Sequence, residues 1–283
     1  LFSLGVASLL NLVLDICFTL LGFGVGGVAV ATSIANWVSC LIVLFVLARS
    51  SSFGLRLPVL PFDRGELLLM LGIGLPAAVQ GMVFCFSNVI VQSAINSLGE
   101  TVIAGSAAAF TIEINLYCLM SAFAQAATTF VSQNYGARNI ARCIRTTRVT
   151  LAITMPLNIL CSLAILAIAP LLLSLFSEDA AVIATARLRL WYIILPNVVT
   201  IFIDLLSGAL RGYGCSLPPA LATLIAICGI RIVWVFTVFR WNPEFSVLLA
   251  SYPISWFATS VLISFVYYRF RKGLVYQHPD KKR

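Results

Sequence analysis

Charge is scarce in this sequence. Only 10% of its 283 residues are Asp, Glu, Lys or Arg, against 61% that are hydrophobic. Soluble domains carry about 25% charged residues, so this chain lacks the means to coat a water-facing surface and reads as an integral membrane protein. Histidine occurs once, at His278, and the eight cysteines make no CxxC or Cys/His spacing, which leaves no basis for a disulfide framework or a structural metal site. Cys17, Cys40, Cys85, Cys118, Cys161 and Cys228 lie in apolar runs, where a thiol behaves as a small hydrophobe. Cys143 and Cys215 fall in expected loops. A net charge of +8 on a soluble domain would suggest nucleic acid; on a chain this apolar it belongs to loops beside lipid, and no nucleic-acid partner is expected. The first residue is Leu1, with no charged region before the first apolar run, so we expect no signal peptide and read the N-terminal part of the protein as missing.

What is abundant is long apolar runs. About 20 mostly apolar residues cross the hydrocarbon as a helix. Eight such runs lie between charge or turn clusters, at roughly 2–21, 27–48, 66–92, 102–131, 149–173, 188–210, 219–239 and 246–268. The fold class is therefore all-α, a polytopic membrane bundle of eight transmembrane helices.

One stretch breaks the pattern. SQNYGARNIARCIRTTR, residues 132–148, holds Arg138, Arg142, Arg145 and Arg148 and no acid. Sorted by alternation of the spans, fourteen basic residues share its side, including Arg49, Arg56, Arg64, Arg211 and the tail residues Lys281, Lys282 and Arg283, while Arg187, Arg189 and Arg240 lie in the opposite loops. Lysine and arginine accumulate on the cytoplasmic side, so the stretch reads as a cytoplasmic loop and the C terminus as cytoplasmic. Gly136 and Gly212 suit turns with positive φ, and Pro218 and Pro219 suit a helix start. Gln133, Gly136, Arg211 and Gly212 are read as structural loop residues.

Three acids fall inside spans: Asp15, Glu113 and Asp204. Each costs about 2.5–3.5 kcal/mol at a span centre on insertion scales, and such residues mark ion, proton or substrate paths by default. Polar neighbours share their faces. Ser8, Asn11 and Asp15 recur at i, i+3, i+7; Asn197, Thr200, Asp204, Ser207 and Arg211 form a longer stripe; Asn88, Gln92 and Asn96 repeat every four residues; Glu113 shares a face with Ser106 and Tyr117. Small polar residues also serve as interhelical glue. We take Gln80, Asn88, Gln92, Tyr117, Asn197 and Thr200 as candidate cavity residues. Arg231 remains inside a span, either as a counter-ion to one of the acids or snorkelling outward. Pro76, Pro156, Pro196 and Pro253 lie within or near the ends of spans, where a broken helix can line a cavity.

A short echo relates LLNLVLDIC (9–17) to LATLIAICG (221–229), and transporters are commonly built from such repeats. FVSQNYGARNIARCIRTTR followed by a span, GALRGYGCSLPPAL between two spans, and NLVLDICFTLLGFGVGGVAVAT together resemble the multidrug and toxic compound extrusion (MATE) family, including the Asn-x-x-x-Asp pair of its DinF-like branch. The resemblance implies twelve helices in two six-helix lobes, of which the first four are absent here. Residues 1–48 would be two helices of the N-terminal lobe, 49–65 a cytoplasmic linker, 66–270 the C-terminal lobe and 271–283 a cytoplasmic tail. By position it places Asn11 and Asp15, with Thr32 nearby, in the first-lobe cation site, and Glu113 and Asp204 in the second lobe, where other branches carry acidic residues, as further candidate cation-coupling residues.

The expected function is a cation-coupled multidrug efflux antiporter working by alternating access in the plasma membrane, a cell inner membrane. No cofactor is implied beyond a sodium ion or proton as coupling ion. Partners are the lipid bilayer and cationic or amphipathic small molecules, and the protein is expected to be a monomer. A flippase for lipid-linked oligosaccharide or polysaccharide is an alternative; it calls for basic residues in the cavity, where Arg231 alone is available. A non-transporting remnant is another. An intramembrane aspartyl protease is not supported, because Asp15 and Asp204 lack GxGD-type flanks and no Ser/His set exists; the protein is not expected to be an enzyme.

Overall fold

The structure is a computed structural model that describes residues 2–49 and 63–277. Arg56, His278, Lys281, Lys282, Arg283 and most of the expected linker lie outside the described residues. The described residues form helices and turns, with no strand among them. The helices are α1 (Phe2–Leu20), α2 (Gly24–Arg49), α3 (Arg64–Asn96), α4 (Glu100–Gly136), α5 (Ile140–Ser174), α6 (Ala180–Ile194), α7 (Thr200–Gly212), α8 (Leu217–Thr223), α9 (Ile230–Phe236), α10 (Val238–Trp241) and α11 (Phe245–Gln277). Eight continuous or broken helical stretches among them are long and apolar enough to cross a membrane, α6–α7 and α8–α10 each making one.

The helices outrun their hydrophobic runs. α4 has 37 residues and α5 has 35, roughly 50–55 Å at 1.5 Å per residue, against about 30 Å of hydrocarbon. The arginine-rich stretch is therefore not a loop. Residues 132–136 finish α4, residues 137–139 turn, and Arg142, Arg145 and Arg148 ride on α5. Cys143, expected in a loop, is likewise buried on α5, where its thiol donates to the Val131 carbonyl at 3.5 Å. The physical reason is that a helix satisfies its own backbone in the headgroup region while its long basic side chains reach water. Asn139 starts α5: its side-chain oxygen accepts from the Arg142 amide at 3.1 Å. Asn139→Ala is expected to cost about 1 kcal/mol, measured as a lower unfolding midpoint of the full-length protein in detergent.

The described chain divides into two compact units, Leu1–Arg64 and Gly65–Arg283. The first is the α1–α2 hairpin. In the second, α4 packs against α5, α6 and α7, and α11 packs against α6, α7, α8 and α9. One core gathers Ala109, Leu116, Leu173, Leu190 and Ile194 from α4, α5 and α6. Another gathers Leu206, Ile227, Leu249 and Ile263 around the α7–α11 side.

Gly136 and Gly212 do not take positive φ; Arg138 (φ 57°) and Gly214 (φ 82°) do so in their place. Gly212 is instead a contact residue. A Cβ there would sit 2.9 Å from the Thr128 carbonyl oxygen, and one at Gly208 would sit 2.5 Å from Thr128 Oγ1 and 3.1 Å from the Ala124 carbonyl oxygen. Small residues four apart let α7 lie directly on α4. Pro218 and Pro219 open α8 as expected.

Of the four prolines singled out, Pro196 alone interrupts its helix: α6 stops at Ile194, a 3₁₀ turn runs Pro196–Val199, and α7 resumes. Pro76, Pro156 and Pro253 lie inside continuous helices. At the break Ser162 of α5 donates to the Ile194 carbonyl at 3.2 Å, replacing a partner the helix cannot supply. A second irregularity is a π-helical stretch at Leu224–Gly229, between α8 and α9. The echo between 9–17 and 221–229 thus joins a regular helix to an irregular one.

Candidate functional site

The Pro196 break lines a hollow, and the π stretch ends two residues before another part of its wall. A cavity of about 510 Å³ in the C-terminal unit is walled by Ile193, Ile194 and Asn197 at the Pro196 break, and by Arg231 just after the π stretch. α3 contributes Phe84, Asn88 and Gln92; α4 contributes Ser106, Phe110, Glu113 and Tyr117; α11 contributes Tyr252 and Trp256. Irregular backbone at membrane depth is tolerated where it lines such a hollow. Of the candidate cavity residues, Asn88, Gln92, Tyr117 and Asn197 line it. Gln80 and Thr200 do not. Gln80 donates to Thr223 Oγ1 at 2.9 Å, and the Thr200 hydroxyl donates to the Asn197 carbonyl at 2.7 Å; both hold helix segments together.

Glu113 is not a lone carboxylate. Arg189 Nε donates to its Oε1 at 2.8 Å and Nη2 to its Oε2 at 2.9 Å, while Nη1 donates to Ser106 Oγ at 2.6 Å. The two side chains are only 5% and 10% exposed. This is a two-pronged guanidinium–carboxylate clamp, the strongest form of the pair. It corrects the placement of Arg189 in an outer loop: α6 begins at Ala180, so Arg189 stands well inside the helix and is buried, while Arg187 is exposed. Residues 187 and 189 lie about 200° apart around a helix, so adjacent arginines face opposite surroundings.

Arg231 is neither counter-ion nor snorkelling. It is 1% exposed, donates through Nη1 to Asn88 Oδ1 at 3.0 Å and through Nε to Ser255 Oγ at 3.2 Å, and lies 4.3 Å from the centre of the Tyr252 ring. Arg189 faces the same ring at 5.8 Å. Two guanidiniums against one carboxylate leave the charged part of this wall with one net positive charge.

Asp204 sits outside the cavity wall and is partly buried on α7. It shares the α7 stripe with Ser207 and Arg211, and α7 packs on α4, the helix that carries the cavity residue Tyr117. In the N-terminal unit Asn11 Nδ2 donates to Thr32 Oγ1 at 3.3 Å across the α1–α2 hairpin, and Thr32 donates to the Val28 carbonyl at 3.0 Å. Asp15, one helical turn from Asn11, buries Oδ1 with no hydrogen-bond partner among the described residues. Gln133 and Gly136 are exposed in the last turn of α4, and Arg211 is half-buried in the last turn of α7.

Sequence reasoning missed Arg189 as a cavity residue, although a signal was present. Arg189, Ile193 and Asn197 recur at i, i+4, i+8, and all three line the hollow. A grouping that began its stripe at Asn197 left the arginine out.

The MatE family model matches residues 76–237. The probable multidrug resistance protein NorM of Thermotoga maritima is 25% identical over 242 residues, 84% of this chain and 52% of that protein. The probable multidrug resistance protein YoeA of Bacillus subtilis is 25% identical across 95% of this chain and 60% of its own length. This chain thus spans between half and three-fifths of those relatives. A crystal structure of MATE in the straight conformation superposes with a TM-score of 0.86 at 20% identity, covering 96% of this chain and 62% of that one, which establishes a shared fold. With its family model spanning more than half of its length, this chain belongs to the MatE family.

Proposed function

We propose that the protein is a multidrug efflux antiporter of the plasma membrane, coupled to a sodium or proton gradient and working by alternating access. The observation that carries this reading is Asp204, an intramembrane carboxylate without a hydrogen bond among the described residues, on a helix that packs against α4, which helps to wall a drug-sized cavity. A proton or a sodium ion arriving there cancels a buried charge. That changes the relative stability of the two packings by the difference in their affinity for the ion. Asp15, one helical turn from Asn11, whose amide donates to Thr32, supplies a second set of hard oxygen ligands in the N-terminal unit. Glu113 belongs to the cavity wall in this scheme, since Arg189 occupies both of its oxygens. The names of the relatives, probable multidrug resistance proteins, support the export of diverse small molecules. With Arg189 inside the membrane, Arg187 and Arg240 are what remains of the basic residues opposite the arginine-rich stretch, which supports a cytoplasmic C terminus. We take the protein to act as a monomer in the bilayer and to perform no covalent chemistry.

The test is dye efflux from cells that carry the full-length protein with Asp15→Asn or Asp204→Asn. Each is expected to abolish most gradient-driven efflux while leaving the amount of protein in the membrane unchanged. Unchanged efflux in both would remove the coupling role.

A flippase for lipid-linked oligosaccharide is the second reading, favoured by Arg189 joining Arg231 in the cavity wall. It predicts that the unmodified full-length protein moves no dye at all.

A further inference from the structure

The two cavity arginines differ in one respect. Arg189 hydrogen-bonds through all three of its guanidinium nitrogens, two to Glu113 and one to Ser106. Arg231, which lines the cavity, uses Nε for Ser255 and Nη1 for Asn88, and its Nη2 makes no hydrogen bond among the described residues. Its partners are a hydroxyl, an amide oxygen and a ring face, none of them charged. A guanidinium keeps its proton in proteins, and an arginine at membrane depth without a neutralising group is costly. Glu113 is already paired with Arg189, so one positive charge of the wall stays without a carboxylate of its own.

We infer that the C-terminal cavity is an anion-binding site in which Arg231 receives a carboxylate, sulfonate or phosphate head and the surrounding aromatic rings hold an apolar body. The inference rests on the reading of this cavity as the substrate chamber and narrows its substrates to amphipathic anions. Size supports an extended ligand, since about 510 Å³ falls in the roughly 300–1,000 Å³ range of drug-sized sites. Phe84, Tyr252 and Trp256 lie with ring centres 5.7, 4.3 and 5.9 Å from the Arg231 guanidinium, so head and body are recognised side by side. A permanent cation would meet the net positive wall in a low dielectric, where repulsion is strong. The anionic head has two sources: a water-soluble amphipath, or the headgroup of an anionic lipid.

Binding is measured by calorimetry on the full-length protein in nanodiscs of phosphatidylcholine, with two probes of one shape, naphthalene-2-sulfonate and trimethyl(2-naphthyl)ammonium. The sulfonate is expected to bind at least tenfold more tightly than the ammonium. Arg231→Gln is expected to remove that preference, and Arg231→Lys to retain part of it. Equal affinity for the two probes, tighter binding of the ammonium, or a folded Arg231→Gln variant with unchanged preference overturns the inference. Should Arg231→Gln not fold, the preference of the unmodified protein decides alone. Repeating the titration in phosphatidylglycerol nanodiscs separates the sources. Sulfonate binding suppressed there, and only with Arg231 intact, supports the site with a lipid headgroup as its ligand; unaltered binding supports it with a soluble anion. A protein that prefers the sulfonate but drives no efflux refutes the antiporter reading and leaves the anion site standing, whereas efflux of dyes without sulfonate preference does the reverse.

Discussion

Glu113→Gln is expected to destabilise the full-length protein by about 3–5 kcal/mol, the usual result of breaking a buried ion pair from one side. The carboxylate is 10% exposed and takes two hydrogen bonds from Arg189. Its loss leaves that guanidinium with Ser106 and with the Tyr252 ring it shares with Arg231. One hollow would then hold two uncompensated positive charges. Arg189→Gln is milder, since the cavity keeps one charge of each sign, Glu113 and Arg231. The double variant Glu113→Gln with Arg189→Gln can restore a neutral amide–amide bond, so its loss is expected to be smaller than the sum of the two singles by about 1–3 kcal/mol. Unfolding free energies in mixed micelles measure all three. Additive losses would mean that the two residues do not act as a pair.

Gly212→Leu is expected to be as damaging for a different reason. The Cβ of any residue at 212 meets the Thr128 carbonyl oxygen at 2.9 Å and Val131 Cγ1 at 3.0 Å, and at 208 it meets Thr128 Oγ1 at 2.5 Å. A backbone carbonyl in the middle of α4 cannot step aside without moving the helix. Even Gly212→Ala is expected to cost about 1–3 kcal/mol through overpacking, and leucine adds a branched side chain to the same contact. Gly136→Ala is the control. Nothing lies within 4 Å of a Cβ at that position, and it sits in a helix, so alanine there is neutral or stabilises by up to about 1 kcal/mol. The contrast is read as the unfolding midpoints of the variants. Equal effects at 136 and 212 would contradict the close packing of α7 on α4.

Those two glycines illustrate what the amino-acid order disclosed and what it withheld. Apolar runs are a local property, so eight spans could be marked from hydropathy, and the helices follow them. Their ends could not, because a helix continues past the hydrocarbon wherever polar side chains allow, as α4 and α5 do on either side of residues 137–139. Gly212 was recognisable as special but for the wrong reason: a glycine near a loop suggests a turn, and only a neighbouring helix reveals a contact. The faces bearing Ser106, Glu113 and Tyr117, and Asn88 with Gln92, were readable from helical spacing, and they line the cavity. The bond between Glu113 and Arg189 spans 76 positions, and no periodicity carries information over that distance. An arginine near the start of an apolar run looks like a boundary marker whether it faces water or a buried acid.

The central claim is that the hollow between the Pro196 break and the π stretch is the chamber through which substrate passes. Filling it tests this most directly. Ala107 lines the cavity and carries no charge, whereas Ala184 is exposed on α6 away from it. In cells carrying the full-length protein, Ala107→Trp is expected to abolish dye efflux, and Ala184→Trp to leave it intact, at equal amounts of protein in the membrane. Efflux at the unmodified rate from Ala107→Trp would contradict the account.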